Sequence, residues 1–224
     1  MAARLWVALD VGSRDAVEKL LMQLGSHRHV KVGMELFFRL GLEFVRDLVG
    51  RGYHVFLDLK CHDIPRTVGQ AVAALRNLGV EVVTVHASGG LSMLEAARQE
   101  AGTMDVVAVT VLTSLDTAQV SQLGITTPVH ALVEHAVKMA RQAGLAGVVA
   151  AGSDVSQIHA LWPGARIVVP GIRFLEDELG DQRRVTDPVE AVEAGATDLV
   201  VGRPIIMASD PAIALNRFLQ AISK

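Results

Sequence analysis

VFLDLKCHDIPRTVGQAVAALRNLG, residues 55–79, reads as one complete strand-and-helix unit. Val55 to Leu59 is a short apolar run with the length and composition of a buried parallel strand. From Thr67 to Leu78 the apolar residues return at steps of three and four, the spacing of an amphipathic helix. Gly79 follows where a left-handed cap suits glycine.

The same unit recurs in both directions. Further candidate strands are Leu5 to Leu9, Val30 to Val32, Val82 to Val85, Val106 to Leu112, Gly147 to Ala150, Ile167 to Val169 and Leu199 to Val201, giving eight in all. Helical spacing fills Asp15 to Leu24, Leu36 to Gly50, Leu91 to Ala101, Val129 to Ala143 and Ala208 to Ile222. The first five strands start about 25 residues apart, near the lower limit for a barrel of βα units. An open doubly wound sheet would show the same alternation, but eight equal units favour a closed (β/α)8 TIM barrel in the α/β class, with residues 1–224 as its single domain. Two connections are long, Ser114 to Pro128 and Gly171 to Pro188.

Composition narrows the function. The 224 residues are 50% hydrophobic, enough for one sizeable core. A net charge of -3, one tyrosine and two tryptophans offer no basic stripe or stacking platform, which speaks against nucleic acid as a partner. Cys61 is the single cysteine and fits a reducing compartment. Arg4 and the brief apolar stretch to Asp10 are too short for a signal peptide or membrane span, so a cytoplasmic protein is expected.

In such a fold the chemistry lies where the strands end. Strand one ends in Asp10, strand two carries Lys31, strand three Asp58 and Lys60, and strand four ends in His86. Thr113 ends strand five, strand seven runs into Arg173, and strand eight into Gly202 and Arg203. Any one of these has a bland explanation: Asp10 could cap a turn, and a lone Lys or Arg could be a solvated charge. Their convergence on one mouth is what makes them candidates.

Asp58 and Lys60 are two apart and share a strand face, and Asp63 follows in the loop. With Lys31 they form an array of alternating sign, which a stable buried site requires. The carboxylates keep Lys60 cationic, so it suits stabilisation and protonation of a carbanion better than Schiff-base chemistry. Gly171 with Arg173 and Gly202 with Arg203, after strands seven and eight, suit a phosphate. Phe174 to Thr186, rich in Glu, Asp and Gly, reads as a lid over that phosphate. His54, His62 and His86 lie near Asp58 and Asp63 in the chain, but two ammonium groups in the mouth oppose a metal ion there, and none is expected. Cys61, alternating with Lys60, should face away and pack, as should Trp6, Trp162 and the methionines.

DLKCHDIPRTV (58–68) resembles the signature of the orotidine 5'-monophosphate decarboxylase family in its free-standing bacterial form. The likeness extends over essentially the whole chain through ALDVG (8–12), KVG (31–33), TVLTS (110–114), VPGIR (169–173), GDQRRV (180–185) and VGRPI (201–205). It implies a homodimeric barrel with shared active sites that converts orotidine 5'-monophosphate to UMP and CO2, without metal or organic cofactor. By the same resemblance Lys60 is the proton donor, Asp58 lies beside the departing carboxylate, and Lys31 orients the network. Asp63 and Thr67 reach the partner's ribose site, Asp10 a ribose hydroxyl, Thr113 or Ser114 the pyrimidine, and Arg173, Gln182, Gly202 and Arg203 the phosphate. Arg66 departs from the expected asparagine, and Cys61 from a larger apolar residue.

Two rivals stand beside this reading. Keto-gulonate phosphate decarboxylases and hexulose phosphate synthases share the Asp-x-Lys-x-x-Asp spacing but act with a metal ion and lack the His-Asp-Ile-Pro, Pro-Gly-Ile-Arg and Gly-Arg-Pro runs. A binding barrel that has lost the chemistry is the other, and here every charge of the array is present.

Overall fold

Each of the eight apolar runs forms a strand, and the strands follow one another in chain order around a closed parallel barrel. The structure is a computed structural model that describes residues 3–174 and 186–223. Its strands are β1 (Arg4–Ala8), β2 (His29–Gly33), β3 (His54–Cys61), β4 (Val82–His86), β5 (Asp105–Val109), β6 (Gly147–Val149), β7 (Arg166–Val169) and β8 (Asp198–Val201). The helices are α1 (Arg14–Gln23), α2 (Met34–Gly50), α3 (Pro65–Arg76), α4 (Leu91–Glu100), α5 (Thr117–Gln122), α6 (Val129–Gln142), α7 (Val155–Leu161), α8 (Pro188–Glu193), α9 (Arg203–Ile206) and α10 (Pro211–Ile222). Pairing of β1 with both β2 and β8 closes the ring, which decides against the open sheet.

Strand alternation divides the apolar residues into two layers. Trp6, Ala8, Phe56, Val82, Val107, Val168 and Val200 form one cluster, the filling of the barrel. Their neighbours Leu5, Val7, Val55, Leu57, Val83, Ile167 and Leu199 join the much larger layer between strands and helices. Cys61 packs against that outer layer, as its alternation with Lys60 predicts, and burial pushes its thiol pKa up.

Several element ends differ from the periodic pattern for local reasons. β5 stops at Val109 rather than Leu112, because its partner β6 is three residues long. The last register pair is Val109 with Val149, and both the backbone N–H and hydroxyl of Thr110 then turn to the Val149 carbonyl. α10 starts at Pro211 rather than Ala208, since the Asp210 side chain accepts from the Ile213 N–H at 3.0 Å and caps it there. α2 is kinked at Gly41, whose φ of 70° and ψ of -169° are open to glycine. The long connection 114–128 contains α5, sealed by a capping box between Asp116 and Gln119.

The N-terminal rim of the barrel is tied by charge. Arg166, at the start of β7, holds Asp198 of β8 through Nη2 at 2.7 Å and Nε at 3.1 Å, and Asp105 of β5 through Nη1 at 2.7 Å. Glu81, just before β4, accepts from Arg166 at 3.3 Å and is bonded also by Arg4. Asp198 is 0% exposed and takes a further bond from Trp6 Nε1 at 2.7 Å. Burial works against the Arg166 charge, but its bonds to Asp198 and Asp105 outweigh that and raise its pKa. Arg166→Ala leaves Asp198 buried without its guanidinium, and we expect a loss of about 3–5 kcal/mol in urea unfolding. A loss below about 1 kcal/mol would show that the rim pairs do not hold the barrel together.

Candidate active site

At the opposite, C-terminal rim, nine of the residues singled out from sequence line one cavity of about 760 Å3: Asp10, Lys31, Asp58, Lys60, Thr113, Gly171, Arg173, Gly202 and Arg203. They come from both halves of the chain and meet because the barrel closes between β8 and β1.

The charged centre is a chain of alternating sign. Lys60 Nζ donates to Asp58 Oδ2 at 2.8 Å, Lys31 Nζ stands 3.6 Å from the same oxygen, and Lys31 Nζ reaches Asp10 Oδ1 at 3.4 Å. Within the chain the order is therefore Asp10, Lys31, Asp58, Lys60. Asp10 extends the array at its Lys31 end, whereas the sequence places Asp63 at the other end, beyond Lys60. The cap of α1 is made by Ser13 and not by Asp10: Ser13 Oγ accepts from the Ala16 N–H. Gly33 leaves room for the pair beside it: a Cβ there would lie 3.0 Å from Lys31 Nζ and 3.4 Å from Asp10 Oδ1.

Asp58 has a side chain only 16% exposed. Burial alone would raise its pKa, yet the charges of Lys31 and Lys60 and the bonds from Lys60 and Thr84 outweigh it and hold the carboxyl below its ordinary range. Lys60 has φ of +51°, the only positive value on a non-glycine residue among the described residues. Such a backbone costs about 1–3 kcal/mol and persists only where the surroundings enforce it. Here β3 shifts register against β4 between Leu57 and Cys61, and the Lys60 N–H donates to Thr84 Oγ1 at 2.7 Å. The Thr84 hydroxyl in turn donates to Asp58 Oδ1 at 3.0 Å.

Thr84 was not among the sequence candidates. The signal was available, since Thr84 is two residues before His86 on β4 and shares its inward face, as Asp58 does with Lys60. His86 itself stacks obliquely on His62, ring centroids 5.2 Å apart. Burial first, then His62 and Lys60, hold its imidazole pKa below the usual value. The three histidines near Asp58 in the chain are thus divided: His62 and His86 stand at the mouth, while His54 begins β3 at the far rim.

The other candidates fall elsewhere. Asp63, Thr67 and Ser114 are exposed and line no part of the cavity, and Asp63 Oδ1 accepts from the Ile64 N–H at 2.6 Å. Gln182 and most of the expected lid lie outside the described residues. The two described ends of that segment meet: Ile172 bridges to Thr186, and the Arg173 N–H donates to the Thr186 carbonyl at 3.1 Å. Arg173 is buried, whereas Arg203 is exposed at the start of α9.

Comparison with known proteins gives this geometry a context. Residues 3–218 match the family model described as Orotidine 5'-phosphate decarboxylase / HUMPS family. A protein of Sphingopyxis alaskensis named orotidine 5'-phosphate decarboxylase is 43% identical over 96% of this chain and 96% of its own. Proteins of the same name from Halalkalibacterium halodurans and Idiomarina loihiensis are 44% and 40% identical, the former covering 96% of each chain, the latter 99% of this chain and 98% of its own. Among solved structures, the orotidine 5'-phosphate decarboxylase of Lactobacillus acidophilus superposes with a TM-score of 0.89, is 35% identical, and covers 99% of this chain and 100% of its own.

Thr84→Val removes both bonds of the hydroxyl while keeping the side-chain shape, and we expect the Asp58 pKa to rise. Because the folded value lies below the unfolded one of about 4, Asp58 adds stability above that pH and loses it as pH falls through the folded value. In the valine variant this loss therefore begins at higher pH. A 13C titration of the Asp58 carboxyl with an unmoved midpoint would remove Thr84 from the network.

Proposed function

The chain belongs to the orotidine 5'-phosphate decarboxylase / HUMPS family, and from that membership we propose that it converts orotidine 5'-monophosphate to UMP and CO2 with Lys60 as the proton donor. The observation that carries the reading is the chain Asp10, Lys31, Asp58, Lys60 in a mouth that also holds Arg173, Gly202 and Arg203. Relatives at 40–44% identity carry the decarboxylase name rather than a sugar-phosphate one.

In this mechanism the bond between ring carbon 6 and the carboxylate breaks, CO2 leaves, and the electron pair stays on carbon 6. The Lys60 ammonium neutralises that pair and then transfers a proton to it, leaving a neutral amine that is reprotonated from solvent. Asp58 fixes Lys60 Nζ and places a negative charge where the substrate carboxylate departs. Lys31 holds Asp58 and Asp10 in register. Asp10 takes a ribose hydroxyl and Thr113 or Ser114 the pyrimidine. Arg173, Gly202 and Arg203 take the phosphate, with Gln182 assigned to the same end on sequence alone. Binding at this remote group supplies energy that the reacting carbon can use.

The two cations also bear on the metal-dependent alternative. Asp58 Oδ2 is engaged by Lys60 and approached by Lys31, so a divalent ion would have to displace an ammonium group to reach it. This donor set suits a metal-free reaction.

We place the active enzyme as a cytoplasmic homodimer. Met34, Phe38 and Leu42, four residues apart along α2, and Ile64, beside Asp63, are exposed, Phe38 to 78%. A second copy covering this row would shield it and bring Asp63 and Thr67 to the neighbouring mouth. In the described residues no helix is long and apolar enough to cross a membrane.

With EDTA present, the purified protein should deplete orotidine 5'-monophosphate absorbance, and Lys60→Ala should lower kcat by about 10^4-fold or more, combining lost proton transfer with lost charge stabilisation. Turnover that needs magnesium and a sugar phosphate would transfer the chain to the alternative. Phe38→Glu should shift the sedimentation coefficient from dimer to monomer with loss of kcat; an unchanged dimer would place the interface elsewhere.

A further inference from the structure

The reaction leaves the histidines of the N-terminal rim unused. His29 opens β2, His54 opens β3, and the parallel register sets their Cα atoms opposite one another. Their rings stack with centroids 4.5 Å apart and 8° between planes. Trp6 meets the His29 ring edge-on at 5.1 Å and fixes its plane from inside the barrel. Glu81, the residue before β4, sets Oε2 3.0 Å from His54 Nδ1. One donor atom from each of His29, His54 and Glu81 lies within 4.8 Å of the other two.

We propose that His29, His54 and Glu81 bind a transition-metal dication of the zinc class at the barrel's N-terminal rim. Two imidazoles and a carboxylate are a donor set suited to such an ion. Around a tetrahedral ion the donor atoms stand roughly 3.4 Å apart, and the exposed His54 side chain can rotate to close the set. Glu81 is already oriented for it. Its Oε1 takes the guanidinium groups of Arg4 and Arg166, which leaves Oε2 directed at His54. Those guanidiniums would hold the ligand from behind, as outer partners do in metal sites. His27 is engaged otherwise, its Nε2 3.0 Å from the His29 carbonyl. A cavity of about 300 Å3 beside His27, His29 and His54 gives access and space for a water as fourth ligand.

The ion would join the beginnings of β2, β3 and β4 on the rim facing away from the mouth. It would act as a clamp on the fold, with no part in the reaction, so the site stands or falls independently of the decarboxylase reading.

The test uses the full chain stripped with EDTA and dialysed, titrated with ZnCl2 by calorimetry and with Co2+ by visible absorption. One equivalent per chain is expected, with four-coordinate Co2+ bands. At a hundredfold excess over Kd, zinc should raise Tm by about 5–10 °C. His54→Ala, at an exposed position, should weaken binding tenfold or more and abolish the rise in Tm, as should Glu81→Gln. His62→Ala at the mouth and His130→Ala on α6 should leave both unchanged. Absence of saturable zinc binding up to millimolar concentration, or binding that survives His54→Ala or disappears with His62→Ala, would overturn the proposal.

Discussion

Two ammonium groups in one barrel mouth repel each other, and Asp58 is the carboxylate that allows them to share it. Its Oδ2 accepts from Lys60 and faces Lys31, while its Oδ1 accepts from Thr84. At about 4 Å and an effective dielectric near 20, each opposite pair is worth roughly 4 kcal/mol before desolvation is subtracted. The left-handed backbone of Lys60 inside a sheet is held by the same group of residues, through the Lys60 N–H bond to Thr84 Oγ1 and the ammonium pair with Asp58. The depressed pKa of Asp58 is the measurable face of the same balance. Losing Asp58 would leave two ammonium groups in the mouth with no carboxylate between them.

The barrel separates this arrangement from the one that holds it together. At the N-terminal rim Arg166 binds residues of β5 and β8 and the residue before β4, with Asp198 fully buried among its partners. At the C-terminal rim the charges stay partly accessible and leave a cavity for a ligand. Between the two rims a layer of Trp6, Phe56, Val82, Val107, Val168 and Val200 fills the interior. This division is general to such barrels, where one face carries chemistry and the other stability. It also means that the mouth can hold unfavourable features, such as like charges and a strained lysine, because pairing elsewhere compensates for them.

Eight strands were legible because each is an apolar run followed by a helix of regular period. The short helices α7, α8 and α9 were not, since four to seven residues make at most two turns and carry little periodic signal. The inward direction of Asp58 and Lys60 followed from strand alternation. The role of Thr84 follows from the same rule, but a threonine between valines carries no charge to draw notice to it. Asp10 shows the reverse case: its residue type allowed a cap or a ligand, and only the position of Ser13 assigned the cap elsewhere.

By itself the sequence determined the fold class, the strand-end residues and the family, because periodicity and motif are local properties of the chain. The tertiary structure decided which of those residues meet. It put Asp10 at the Lys31 end of the array within one chain, brought His62 beside His86 and His54 beside His29, and turned the Lys60 backbone to φ of +51°. The reason is physical: closure of the barrel and the register shift of β3 against β4 bring together residues far apart in the chain, and no local pattern encodes either.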